Sequence, residues 1–219
     1  MPSLTLIVAA TLANGIGQGG QLPWRLSRDM AYFARVTTHA PEGGINAVIM
    51  GRNTWESIPL RNRPLKQRRN IIITSDSNYL KEQTDSQVNA GQPTVGVSVQ
   101  TSFQDAIASV ANPADNLHRA FIIGGASIYK TALELSALSG QEKQVTIADR
   151  ILMTRILSPE FEDCDVFFPE FRNAKAQDGT PLWTQATHDE LEAWIGGEVP
   201  QGTQREKGIE YEFQMWTRK

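Results

Sequence analysis

The chain is poor in the residues that staple small folds together. It has one cysteine, Cys164, in 219 residues. No internal disulfide can form, and the sequence fits a reducing compartment. The three histidines are scattered, with no short-range His/Cys pair to give a zinc-ligand spacing. Long apolar runs are also missing. The longest candidate, Leu4 to Leu12, is too short to span a bilayer and has no basic segment before it. It reads as a buried first strand, which places the protein in the cytosol or another reduced compartment with no membrane role. Positive charge is not in excess either: the net charge of −3 argues against a dedicated nucleic-acid surface. Arg61, Arg63, Lys66, Arg68 and Arg69 nonetheless cluster, which keeps a local anion site open.

What remains is an ordinary globular composition, 40% hydrophobic and 21% charged, on a chain long enough to bury a core. No repeat, linker or low-complexity tract marks a boundary, so residues 1–219 are expected to form one domain. Polar stretches near 76–100 and 134–148 read as insertions.

Short β-branched or apolar runs predict strands at Asn46–Met50, Asn70–Thr74, Thr94–Val99, Ala120–Ile123 and Arg150–Ile156. The run Ile209–Thr217 alternates strictly and suits an antiparallel strand with one wet face. Ser102–Val110 predicts a helix with Phe103, Ile107 and Val110 on one side. In the mixed stretch 172–208, Trp183 and Trp194 are expected to cover the sheet. Gly15, Gly17 and Gly20 match G-x-G-x-x-G, but Pro23 follows where a helix should open. No acid stands about 20 residues on. The segment therefore reads as a flexible loop, one that can serve as a lid.

That loop leads to the most informative stretch, Leu22 to Val36. At about 100° per residue, Leu26, Met30, Phe33 and Val36 share a helical face, and Asp29 falls inside it. A carboxylate on an apolar stripe costs free energy unless it is paired, which makes Asp29 a candidate ligand group. The alternative is a first-turn acid favoured by the helix N-terminus, with Ser27 as cap. Two strand–glycine–helix turns, Gly51-Arg52-Asn53-Thr54 and Gly124-Gly125-Ala126-Ser127, could aim backbone N–H groups at phosphates. Arg52 adds a charge-assisted donor. Arg68, in a loop after Pro64 and Leu65, is either a carboxylate clamp or a solvated charge.

Taken together, Ile7-Val8-Ala9, Gly15-Ile16-Gly17, Leu22-Pro23-Trp24, Ile49 through Pro59, Arg63-Pro64-Leu65 and Gly124 through Tyr129 resemble, in order, the motifs of dihydrofolate reductases. The closing Met-Trp-Thr-Arg-Lys resembles fungal members. The resemblance implies an α/β fold: a twisted, mostly parallel eight-stranded sheet with an antiparallel C-terminal strand and flanking helices. It also implies hydride transfer from NADPH to the pterin of dihydrofolate, giving the tetrahydrofolate used in one-carbon metabolism. Antifolate inhibitors would be further ligands, and a monomer is expected.

By the same resemblance, Asp29 would be the ionisable group facing the pterin, with Trp24 and Thr154 holding an ordered water and the carboxylate. Leu22, Met30, Phe33, Ile58 and Leu65 would line the pocket, with Ile7, Val8, Ala9, Ile123 and Tyr129 at its edge. Arg68 would clamp the substrate's glutamate α-carboxylate. On the cofactor side, Ala9, Ile16, Gly20, Ile123 and Tyr129 would approach the nicotinamide. Gly51, Arg52, Asn53, Thr54, Ser57, Gly124, Gly125, Ala126, Ser127 and Ile128 would surround the phosphates. Thr74, Ser75 and Ser102 would meet the adenosine end. Arg63-Pro64 and Gly124-Gly125 are expected to be cis peptides. Two departures stand out: Asp29 is shorter than the Glu of many eukaryotic members, and Ser75 replaces an arginine of vertebrate ones. Rival readings are a reductase of another pteridine-like or pyrimidine substrate on this fold, and a non-catalytic dinucleotide-binding module.

Overall fold

Alternation along one strand, β1 (Ser3–Thr11), sorts the core into two layers. Leu4, Leu6, Val8 and Ala10 face one hydrophobic cluster, while Ile7 and Ala9 face another. The computed structural model describes residues 3–80, 96–111, 116–138, 148–176 and 178–218. Around β1 lie β2 (Gly15–Gly17), β3 (Ile45–Gly51), β4 (Arg68–Ile73), β5 (Val97–Gln100), β6 (Leu117–Gly124) and β7 (Ala148–Ser158). Then come β8 (Val166–Phe167), β9 (Trp183–Gln185), β10 (Gln204–Glu206) and β11 (Ile209–Arg218). Eight strands lie side by side in the order β10-β11-β7-β1-β6-β3-β4-β5, and β9 also pairs with β11. From β7 to β5 every pairing is parallel, and β11 runs antiparallel to β7. The expected sheet is present, with the short β9 as an extra strand.

Among the described residues, five α-helices cover it: α1 (Ser27–Thr38), α2 (Arg52–Ser57), α3 (Phe103–Val110), α4 (Ala126–Leu138) and α5 (His188–Ile195). Helices α3 and α4 send Phe103, Ala106, Val110, Tyr129 and Ala132 into the first cluster. Helices α1, α2 and α5 send Tyr32, Val36, Trp55, Leu191 and Ile195 into the second. The wet-faced last strand is as expected, with Tyr211, Phe213 and Met215 in the second cluster. Trp183 is buried in the first cluster and Trp194 packs on the second.

Several expectations change. The buried stripe of α1 is Asp29, Tyr32, Val36 and Thr37, whereas Met30 is 51% exposed. The wheel gave the side of the helix but not where the neighbouring layer ends. Ser27 does not cap α1: Leu26 occupies the cap position without a side-chain bond. The glycine segment is not a free loop, because Gly15–Gly17 pairs with β8 and a Cβ on Gly15 would meet Cys164 Sγ at 2.6 Å. Helix α5, opened by a Thr187–Glu190 capping box, was not foreseen. Within the polar stretches, residues up to Leu138 continue α4, Ala148 opens β7 and Val97–Gln100 is β5. Residues 81–95 and 139–147 lie outside the described residues.

Candidate active site

The α1 side of the sheet holds two buried ionisable groups of opposite charge, Asp29 and Arg68. Asp29 is the third residue of α1 and only 8% exposed. Thr154 on β7 donates its hydroxyl to Asp29 Oδ1 at 2.7 Å. The β1–β7 register sets Ala9 beside Thr154 and Ile7 beside Leu152, so Ile7, Ala9, Thr154 and Asp29 share one side of the sheet. Val8 does not join them, since alternation sends its side chain into the opposite cluster. Burial pushes Asp29 from 3.8 up to about 6, the Thr154 hydrogen bond offsets part of that, and the Glu206 charge adds to it. A carboxylate so placed is ionised at neutral pH yet within reach of protonation.

Trp24 is 3% exposed, and its indole N–H has no partner among the described residues. A buried donor left unmade is costly, so the site is suited to an acceptor such as a ligand atom or a water. Phe161 packs edge-on against the indole at 5.3 Å. Leu22 and Met30 stand half exposed, while Phe33, Ile58 and Leu65 are partly buried against the second cluster. The site is therefore an open apolar wall rather than an enclosed cavity. A separate cavity of about 200 Å3, bounded by Leu12, Leu157, Phe161 and Phe167, contains none of the predicted site residues.

At the far end of α1 sits Arg68, only 6% exposed. It donates Nη1 to Thr37 Oγ1 at 2.7 Å and Nε to the Lys66 carbonyl at 3.0 Å, and its guanidinium lies 5.7 Å from the Phe33 ring centre. No carboxylate pairs with it among the described residues. Burial lowers it to about 10, which leaves it charged at any physiological pH. Asn70 pins the preceding loop by bonding both the N–H and the carbonyl of Leu65. The solvated-charge alternative for Arg68 is thus set aside.

The two glycine turns meet at the C-terminal ends of β3 and β6. A Cβ on Gly124, at φ 127°, would lie 3.1 Å from Thr54 Oγ1, and one on Gly51 would lie 3.4 Å from Ile128 Cγ1. A side chain at Gly124 would be both strained and crowded, whereas one at Gly51 would only be in contact with its neighbour, and Gly125 opens α4 with Ser127 exposed on its first turn. First-turn N–H groups have no partner inside the helix, so this cradle fits an anionic group such as a cofactor phosphate. Both expected cis peptides, Arg63-Pro64 and Gly124-Gly125, are present, and Ser158-Pro159 is a third.

Other predicted positions are committed locally. Ser57 donates to the Thr54 carbonyl, and Ser102 caps α3 by accepting from Asp105 N–H. Arg52 is held by Glu56 at 2.8 Å and lies 4.5 Å over the Tyr79 ring, with Asn53 exposed beside it. Thr74 bonds Gln100 across β4–β5, so Thr74, Ser75 and Ser102 gather at one strand end. Ile16 packs on the first cluster, Ile123 packs on the second, and Gly20 is exposed with φ 78°. Tyr129 is buried, donating its hydroxyl to the Ile7 carbonyl at 2.7 Å, so its hydroxyl supports the strand instead of facing a ligand.

The described fold and these motifs coincide with a known family. The family model described as dihydrofolate reductase matches residues 3–190. The chain belongs to the dihydrofolate reductase family. It is 40% identical to the dihydrofolate reductase of Cryptococcus neoformans, over 98% of this chain and 94% of that one. It is 38% identical to that of Pneumocystis carinii, over 99% and 97%. The solved dihydrofolate reductase of Schistosoma mansoni superposes with a TM-score of 0.69 at 33% identity, covering 100% of this chain and 99% of that one.

For this dihydrofolate reductase chain, reading the sequence missed two long-range supports. Glu206 bonds the start of α1. Arg155, 3% exposed, donates to the Thr11 carbonyl at 2.6 Å and to Asn14 Oδ1 at 3.0 Å. That grip fixes the turn leading into the glycine segment. A Lys207-Gly208 turn signal was available for the first; nothing local marked the second.

Proposed function

We infer that this chain catalyses NADPH-dependent reduction of 7,8-dihydrofolate to tetrahydrofolate, and that α1 is the ruler on which the substrate is read. One observation carries the assignment of residues: a buried carboxylate at the first turn of α1 and, against its last turn, a buried guanidinium with no carboxylate partner among the described residues. Asp29 and Thr37 are eight residues apart, about 12 Å along a helix. That separation suits a ligand with a donor-rich pterin at one end and an α-carboxylate at the other. Asp29 would accept the pterin's amino and amide N–H groups, with Thr154 fixing the orientation of its carboxylate. Trp24 would hold an acceptor or water beside it. Leu22, Met30, Phe33, Ile58 and Leu65 would exclude water from the ring and benzoyl group. Arg68 would engage the carboxylate bidentately.

NADPH, when bound, supplies the hydride. Gly51, Thr54, Gly124, Gly125, Ala126, Ser127 and Ile128 would hold its phosphates, and Arg52 would have to leave Glu56 to reach one. With Ser75 in place of an arginine, Arg52 would carry most of the 2′-phosphate recognition. Among the described residues no helix is long and apolar enough to cross a membrane. The single cysteine supports a reduced compartment, with the cytosol as the proposed location and a monomer as the proposed form. Light scattering tests the latter.

Mixing the protein with NADPH and dihydrofolate and following the reduced nicotinamide's absorbance tests the activity. Substrate-dependent loss is expected. NADPH binding without turnover would favour a non-catalytic module, and turnover confined to another pteridine or a pyrimidine would favour the rival reductase.

A further inference from the structure

Helix α1 carries Asp29, yet it begins on Leu26 with no side-chain cap of its own. Its first N–H groups are met from 179 residues away in sequence. Glu206 accepts the Ser27 N–H on Oε1 at 2.7 Å and the Arg28 N–H on Oε2 at 3.1 Å. Strand β10 pairs with β11 with Glu206 opposite Ile209. The intervening Lys207 and Gly208 both have positive φ, 51° and 78°, the geometry of a tight two-residue hairpin turn. Lys207 Nζ reaches back to the Arg25 carbonyl at 3.1 Å. The hairpin thus holds the chain on both sides of Leu26, and the Glu206 side chain is only 13% exposed while doing so.

We propose that Glu206 is a positioning residue for the reaction, seating the first turn of α1 so that Asp29 is presented to the substrate. This rests on Asp29 being the group that meets the pterin. Two carboxylates then share one helix start. Glu206 tolerates its charge there because, although burial opposes it, the Ser27 and Arg28 N–H groups and Lys207 hold it below the usual carboxylate value. Its charge in turn helps to keep Asp29 from ionising too readily. The other groups facing Asp29 are Thr154 from β7, Tyr32 on α1 itself and Tyr211 from β11. Arg28 and Arg35 on α1 and Lys207 on the hairpin supply the nearby positive charge. Of these, Glu206 alone combines a negative charge with a direct hold on the Asp29 turn.

The test is the pH dependence of kcat/KM for dihydrofolate in the wild type, Asp29→Asn, Glu206→Gln, Glu206→Asp and Glu206→Ala, with the KM for NADPH measured alongside. Glu206→Gln should move the Asp29-dependent limb toward lower pH. Glu206→Asp, which keeps the charge one methylene further back, should fall between it and the wild type. Glu206→Ala, losing the hold as well, should lower kcat/KM roughly 10-fold, short of the 10²-fold that a full 1 Å misplacement can cost. The KM for NADPH should not change in any of them. A limb abolished by Asp29→Asn but unmoved by Glu206→Gln would overturn the proposal and leave the Asp29 reading standing. Should Glu206→Gln fail to fold, an unmoved limb in Glu206→Asp would overturn it equally. A limb that survives Asp29→Asn would instead overturn the Asp29 reading itself.

Discussion

The two ends of α1 bring opposite charges to the same side of the sheet, and burial acts on them in opposite ways. At the start, burial raises Asp29 to about 6, not far below neutral pH. At the end, burial lowers Arg68 to about 10, still far above it. On the proposed assignment, recognition of the substrate's head is sensitive to pH, whereas recognition of its tail is not. The arrangement also follows the helix dipole, with the acid at the N-terminus and the cation at the C-terminus. On the same assignment, the two ends of one helix would frame a titrating group near the chemistry and a constant anchor away from it.

The largest expected effect is at the titrating end. Asp29→Asn should lower turnover roughly 10²- to 10⁴-fold, the range for losing an acid–base group, with a smaller loss in acid where solution can protonate the substrate. Steady-state rates across pH check this, and full speed at neutral pH would reduce Asp29 to a helix-start residue. Next comes Arg68→Leu. Hydrogen bonds to charged groups contribute about 1.5–3 kcal/mol, so the KM for dihydrofolate should rise roughly 10- to 150-fold with little change for a bare dihydropterin.

A smaller effect sharpens the electrostatics. Thr154→Val removes the bond that favours ionised Asp29, so the Asp29-dependent limb of kcat/KM should move to higher pH. That is opposite to the shift expected when the Glu206 charge is removed. A limb that stayed in place would mean the hydroxyl contributes only packing.

A separate prediction concerns the free protein rather than catalysis. Asp29's folded value of about 6 stands above the unfolded 3.8, so the folded chain binds more protons than the unfolded chain between them. Stability should fall as pH rises through that window, by about 3 kcal/mol from this group. Urea unfolding of the wild type and Asp29→Asn at pH 4 and pH 7 measures it, the variant lacking that part of the fall.

The strands β1, β3, β4, β6 and β11 were readable because they carry their burial pattern locally, residue by residue, whereas their arrangement in one sheet followed from the family resemblance. Asp29 was readable as an anomaly on an apolar stripe, and the glycine turns as strand ends. What was hidden depends on distance. The wheel could not tell that Met30 would stand at the cleft edge while Tyr32 went into the core, because that depends on where the sheet stops. Ser27 looked like a cap because caps are normally local, while the actual one comes from β10. The pairing of Gly15–Gly17 with β8 likewise joins segments about 150 residues apart. In the site, Arg68 looked like one of several cations in a loop, whereas it opens β4 and is buried against Thr37.

The most direct test of the two-ended helix is kcat/KM for dihydrofolate and for a bare dihydropterin, measured in the wild type, Asp29→Asn and Arg68→Leu. Asp29→Asn should depress both substrates, and Arg68→Leu should depress only dihydrofolate. Equal losses on both substrates in Arg68→Leu, or a loss confined to dihydrofolate in Asp29→Asn, would contradict it.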